Sequence, residues 1–145
     1  MREIKTEIVI NRSPSDVWKV LMNFPLYPQW SRFIEYISGP AEEGKRLEVR
    51  LKPANKQAAV FAPLVLFIRP EKEFRWKGQF ADVNFIFTGE HYFILHAEDS
   101  GRKTRLEHGE KFRGLLTFIM GRIIKITRNG LLDYNFSLKE RCEKK

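Results

Sequence analysis

Three side chains capable of acid–base chemistry fall on one face of a single β-hairpin: His91, His108 and Glu110. Residues 84–96 alternate so that Phe85, Phe87, Gly89, His91, Phe93 and Leu95 share a face, the period-two pattern of a strand with one buried side. The returning strand puts Thr104, Leu106, His108, Glu110 and Phe112 on the matching face, and Arg105, Glu107, Lys111 and Arg113 on the other. Glu98-Asp99-Ser100-Gly101 is expected to form a four-residue turn between them. Pairing Ala97 with Arg102 then sets Leu95 against Thr104, Phe93 against Leu106, His91 against His108 and Gly89 against Glu110. In that register every inward residue meets an inward residue.

Three chemistries suit this trio. The first is structural, with interior histidines hydrogen-bonded to Glu110, Thr104 or a tyrosine. The second is a polar anchor that orients an otherwise apolar ligand, since small-molecule pockets carry a few polar groups among many apolar ones. The third is catalysis or metal binding. A histidine titrating near neutrality suits proton transfer, and two histidines with a carboxylate can hold zinc. No helical or short-loop ligand spacing supports the metal, so neither a metal nor a cofactor is expected, and no catalytic residue is assigned.

The elements that must position these groups are legible from hydrophobic periodicity. Ile4, Thr6, Ile8 and Ile10 alternate with polar neighbours in a first strand. Ser13-Pro14-Ser15-Asp16 starts a helix, with Ser13 as cap and Pro14 in the first turn. It runs to about Asn23, after which Pro25 and Pro28 limit the chain to one short turn or helix through Trp30. Phe33–Ile37, Leu47–Lys52, Ala59–Ile68 and Glu73–Phe80 follow as strands, with Pro63 marking an edge or a bulge. From Leu115 to about Cys142 the apolar residues Leu116, Ile119, Met120, Ile123, Leu131, Tyr134 and Leu138 fall on one stripe of a long helix. Phe118, Leu132 and Phe136 lie on its far side, covered by the Phe24-to-Trp30 segment, scattered, or offered to a partner subunit or membrane. A helix this apolar must lie on a sheet. The expected architecture is α+β: a curved antiparallel sheet of about seven strands wrapped around a long C-terminal helix, with two short helices after the first strand.

Composition narrows the setting. At 145 residues, with 43% hydrophobic residues, the chain is expected to be one domain, 1–145. It has no apolar run long enough to span a bilayer, no secretory signal is expected, and its single cysteine, Cys142, excludes an internal disulfide. A cytoplasmic location is expected. The formal charge of +8 is dispersed over every segment, which suits a solvated surface or weak contact with an anionic membrane. No nucleic-acid motif is present, and a monomer or homodimer is expected.

Ser13-Pro14 with Val17-Trp18, Phe24 with Tyr27-Pro28-Gln29-Trp30, Phe74-Arg75-Trp76 and Gly89-Glu90-His91 occur in an informative order. Thr104-Arg105-Leu106, His108-Gly109-Glu110 and Phe112-Arg113-Gly114-Leu115-Leu116 continue it. Over nearly its whole length the sequence resembles the START-like, or SRPBCC, superfamily, specifically its small bacterial polyketide cyclase/dehydrase-type members. Asn23 stands where relatives often have aspartate, and Trp30-Ser31-Arg32 where they often have Trp-Asn-Pro. The resemblance implies a helix-grip fold with an apolar pocket between sheet and helix. Its relatives include lipid and sterol carriers, quinone-binding proteins and aromatic polyketide cyclases, so fold alone does not select the chemistry.

The leading expectation is binding of a small hydrophobic ligand: a lipid, quinone or aromatic metabolite. Expected pocket residues are His91, His108, Glu110, Trp76, Phe80, Phe87, Phe93, Phe112, Ile123 and Tyr134, with Trp30 near an opening. The alternatives are a cyclase or dehydratase using His91 or His108 as acid–base, and an interaction module acting through its basic surface.

Overall fold

The computed structural model describes residues 2–82, 85–114 and 121–144, and only the backbone of 80–82, 85–87 and 114. Strand β1 (Arg2–Ile10) leads to helix α1 (Pro14–Leu21), a 3-10 turn (Phe24–Leu26) and helix α2 (Tyr27–Trp30). Ser13 caps α1 as its sequence demands, its hydroxyl accepting from the Asp16 N–H at 3.2 Å. Strands β2 (Phe33–Ser38), β3 (Glu48–Lys52), β4 (Ala59–Phe61), β5 (Leu64–Arg69), β6 (Glu73–Asp82), β7 (Phe85–Glu98) and β8 (Lys103–Gly114) follow, then helix α3 (Gly121–Glu143).

The strands are antiparallel and divide into a five-stranded sheet, β1-β8-β7-β6-β5, and a three-stranded one, β2-β3-β4. The single apolar run expected over Ala59–Ile68 is two strands in different sheets. Pro63 has no N–H to continue a ladder, and the chain leaves one sheet at Phe61 and enters the other at Leu64. The segment before β3 closes the corner between the sheets, with Leu47 N–H donating to the Pro63 carbonyl and Val65 N–H to that of Lys45, each at 2.9 Å. This is the helix-grip architecture: a curved antiparallel surface with a long C-terminal helix across it.

Helix α3 is gripped unevenly. Its C-terminal half buries Leu131, Tyr134, Asn135, Leu138 and Cys142. Phe33, held at φ 69, packs its ring over Gly130, where any added Cβ would fall inside the ring. In the N-terminal half Ile124, Ile126 and Thr127 are only half-buried and Ile123 is 46% exposed. The single stripe read from sequence is therefore interrupted: it covers Leu131, Tyr134 and Leu138 but does not bury Ile123. Of its other members, Leu116, Ile119 and Met120 lie outside the described residues, as does Phe118. Leu132 and Phe136 are exposed rather than covered by the Phe24-to-Trp30 segment.

The hairpin register also differs from expectation. The turn residues are 99–102, one position later, because Asp99, Ser100 and Gly101 all take left-handed φ values (50°, 56° and 83°). Moving a four-residue turn by one position moves the pairing by two. Leu95 therefore pairs with Leu106, Phe93 with His108, His91 with Glu110 and Gly89 with Phe112. The shift is even, so every side chain keeps its face.

Candidate functional site

The inward face of β1, β8, β7 and β6 can be followed row by row. One row reads Ile4, Glu110, His91, Trp76 across the four strands, and the next reads Arg2, Phe112, Gly89, Gly78. In the first row the titratable pair is nearly sealed: His91 is buried and Glu110 retains 7% exposure. His108, diagonal to His91, is fully buried.

These groups form one continuous hydrogen-bonded chain. Glu110 Oε1 lies 2.9 Å from His91 Nδ1, and His91 Nε2 lies 2.6 Å from His108 Nε2. His108 Nδ1 lies 2.7 Å from Asn135 Oδ1, and Asn135 Nδ2 donates to Thr6 Oγ1 at 2.8 Å. Thr6 Oγ1 ends the chain by donating to the backbone carbonyl of His108 at 2.6 Å. A ring of aromatics holds the histidines in place. Trp76 stacks on His91 with centroids 4.6 Å apart, Phe93 stacks on His108 at 4.4 Å, and Tyr134 meets His108 edge-on at 4.9 Å. Tyr134 is held in turn by a hydroxyl contact with Tyr27 at 2.7 Å, and Tyr27 donates to the Leu21 carbonyl.

Burial sets the protonation. Removal from water pushes His91 down to about 3 and Glu110 up to about 8, because desolvation penalises whichever form is charged. His108 is driven well below the usual histidine value by burial and by the neighbouring His91, against a smaller opposing effect of the Asn135 bond. At neutral pH the histidines are neutral and Glu110 is a carboxylic acid. Both ring nitrogens of His91 and of His108 are occupied, and among the described residues no three of His, Cys, Asp and Glu are arranged to hold a metal ion.

The structure thus brings together His91, His108, Glu110, Trp76, Phe93 and Tyr134, with Phe112 buried one row away. Ile123 is exposed. Trp30, half-buried against Tyr27 and Tyr134, lines an open surface cleft with Gln29, Arg32, Ser137 and Arg141. The side chains of Phe80 and Phe87 lie outside the described residues. Two members of the chain, Thr6 and Asn135, were not singled out from sequence. Each carried a signal: Thr6 is a buried polar residue between Ile4 and Ile8 on the inward face of β1, and Asn135 sits four residues after Leu131 and three before Leu138 on the buried side of α3. No helix among the described residues is long and apolar enough to cross a membrane.

Solved structures share this architecture. A START superfamily protein from Mycobacterium smegmatis superposes with a TM-score of 0.77 at 18% identity, covering 97% of each chain. A protein from Chromobacterium violaceum gives 0.76 at 17% identity, over 99% of this chain and 98% of the other. The di-domain ARO/CYC protein BexL of the BE-7585A biosynthetic pathway gives 0.73 at 12% identity, over 99% of this chain and 48% of its own. At such identities the likeness concerns the fold alone. No curated protein matches the sequence. Residues 1–131 match the family described as polyketide cyclase / dehydrase and lipid transport, and the chain belongs to that family.

Proposed function

We propose that the protein binds a small, largely apolar molecule between the sheet and the N-terminal half of α3, with one polar end of the ligand against Glu110. The observation that carries this reading is the pairing of Gly78 with Gly89 on adjacent central strands, both buried and both on the inward face. Glycine inside a strand weakens it and marks a place where something approaches the backbone closely. Here the two glycines share a row with Phe112, next to the row of Trp76, His91 and Glu110.

The helix above supports the same location. Asn135 lies over His108 and α3 runs antiparallel to β8. At about 1.5 Å per helical residue against about 3.4 Å per strand residue, the level of Gly89 is reached near residue 126. That is the half of α3 whose apolar residues are incompletely covered. A ligand of lipid, quinone or aromatic type would complete the packing there, and burial of its apolar surface would supply the affinity at roughly 25 cal/mol per Å².

Native mass spectrometry of the purified protein, followed by organic extraction, tests this. A stoichiometric apolar compound is expected, and Gly89→Val should carry none while remaining folded. An empty parent that also ignores lipids, quinones and aromatic compounds would remove the reading.

A second reading, a cyclase- or dehydratase-type enzyme, is favoured by one observation: Glu110, held near 8, is a carboxylic acid at neutral pH, and the proton it shares with His91 Nδ1 is the one it would give up as general acid. The histidines do not fit the role of free base, since both are sealed and neither nitrogen is unoccupied. In that reading Glu110→Gln abolishes turnover of a poly-β-keto substrate while His96→Gln does not. Unchanged turnover in Glu110→Gln would exclude it.

A further inference from the structure

The buried hydrogen-bond chain has a direction, and the direction can be assigned atom by atom from its far end. The backbone carbonyl of His108 can only accept, so the Thr6 hydroxyl donates its one proton to it. Thr6 Oγ1 can then only accept from Asn135, which must present its NH₂ group there. The Asn135 amide is thereby oriented with Oδ1 toward His108, so His108 carries its proton on Nδ1. Neutral His108 has a bare Nε2, which must accept from His91 Nε2–H. His91 Nδ1 and Glu110 Oε1 are left to share one proton between them. Wherever that proton sits, Oε1 is committed to His91, and the other oxygen, Oε2, carries lone pairs and no hydrogen.

From this we infer that the Thr6–Asn135–His108–His91 chain fixes Glu110 as a hydrogen-bond acceptor toward the pocket, so that the protein selects apolar ligands ending in a hydroxyl group over those ending in a carbonyl or an ether. The inference rests on the ligand-binding reading above and deepens it by naming the chemistry of the ligand's polar end. A phenol, an isoprenoid alcohol or a reduced quinol offers the O–H that Oε2 requires. A quinone or a methyl ether brings a second acceptor against an acceptor, leaving both buried and unpaired, and a missing partner of that kind is what makes polar discrimination large. The Glu110 carboxyl ends the chain with a second oxygen that no other member engages, and the opposite end is a backbone carbonyl that cannot reverse. Thr6, Asn135, His108 and His91 are positioning residues: they act on a ligand only through the orientation of Glu110.

Matched pairs of probes test this: 1-naphthol with 1-methoxynaphthalene, farnesol with its methyl ether, and cholesterol with its methyl ether, each titrated into the full chain by calorimetry. At least one hydroxyl compound is expected to bind ten-fold or more tightly than its ether. Glu110→Leu should bring that ratio close to one, and Glu110→Gln should restore it, since an amide can point N–H at His91 Nδ1 and its oxygen at the ligand. Equal binding of alcohol and ether would overturn the hydroxyl preference and leave the ligand-binding reading standing, whereas binding of neither member of any pair would overturn both. Long-range ¹⁵N–¹H correlation spectra give a readout independent of any ligand. They should show His108 protonated at Nδ1 and His91 at Nε2, and a proton on His108 Nε2 would reverse the chain and sink the proposal.

Discussion

Glu107 and Glu110 stand three residues apart on β8 and face opposite sides of the same sheet, and their acid–base behaviour diverges. Burial opposes ionisation of both. At Glu107 the hydrogen bond from Arg105, together with the charges of Lys5 and His96, outweighs it and holds the carboxyl below its usual range. At Glu110 no cation compensates, and the group is pushed up to about 8. The same contrast separates the two surfaces of the hairpin. The outer one is a lattice of ion pairs, with Arg75 between Glu73 and Glu90 and Arg105 among Glu98, Glu107 and Glu7. The inner one is a neutral chain in which polarity comes from the arrangement of donors and acceptors. Alternation along a strand therefore separates charge-based from hydrogen-bond-based chemistry by the thickness of one backbone.

The largest effect is expected from interrupting the inner chain at its middle. Asn135→Leu leaves the His108 Nδ1–H without an acceptor and Thr6 without a donor, at positions sealed from bulk solvent. A loss of about 2–4 kcal/mol is expected. Urea unfolding should show it as a lower midpoint with unchanged slope. A loss under about 1 kcal/mol would mean that the chain is far less cooperative than its geometry implies.

Next in size is the pH dependence. Glu110 has a folded value of about 8 against 4.5 unfolded, so its contribution is complete below pH 4.5 and is lost as pH rises through 8. The histidines shift the other way: from 6.5 they are lowered in the fold, so stability is lost as pH falls below 6.5. Between 4.5 and 6.5 the extra proton held by folded Glu110 offsets one histidine and not the second. Stability should peak near pH 6.5 and fall on the alkaline side by about 1.4 kcal/mol per pH unit up to about 8. The ionisable groups bonded along the chain are His91, His108 and Glu110 alone, since Thr6 and Asn135 do not titrate. Chemical denaturation of Glu110→Gln across pH 4–9 should therefore lose the alkaline decline and keep the acid one. An alkaline limb that survives in this variant would assign it to another group.

How much of this was legible in the sequence follows from the physics of each signal. Period-two alternation fixes faces, so His91, His108 and Glu110 were correctly set inward even with the hairpin register two residues off. Both registers satisfy the alternation, and only the left-handed run at Asp99–Gly101 chooses between them. Capping chemistry at Ser13 is local and was readable. Asn135 and Thr6 were not, because a polar residue on an apolar face announces a need for a partner without naming one, and theirs are 129 residues apart in sequence. Ile123 obeyed the helical stripe yet lies exposed, since a stripe records which side a helix would bury and not how far the sheet beneath it extends.

The smallest effect belongs to the outer surface, and it sharpens the contrast most directly. Arg105 contacts Glu98 at 2.9 Å, Glu107 at 3.1 Å and Glu7 at 3.3 Å, more ionic partners than any inner residue has. Number of partners is nonetheless a poor guide to stability where solvent screens the charges and long side chains must be immobilised to meet them. Arg105→Ala is expected to cost about 1 kcal/mol or less, and less again in 1 M salt, where the screening length shrinks to about 3 Å. Asn135→Leu, whose interactions involve no net charge, should respond to salt hardly at all. Unfolding both variants at low and high salt compares the two faces under one perturbation. A salt-sensitive Asn135→Leu with a salt-insensitive Arg105→Ala would reverse the assignment of charge to the outer surface and neutrality to the inner one.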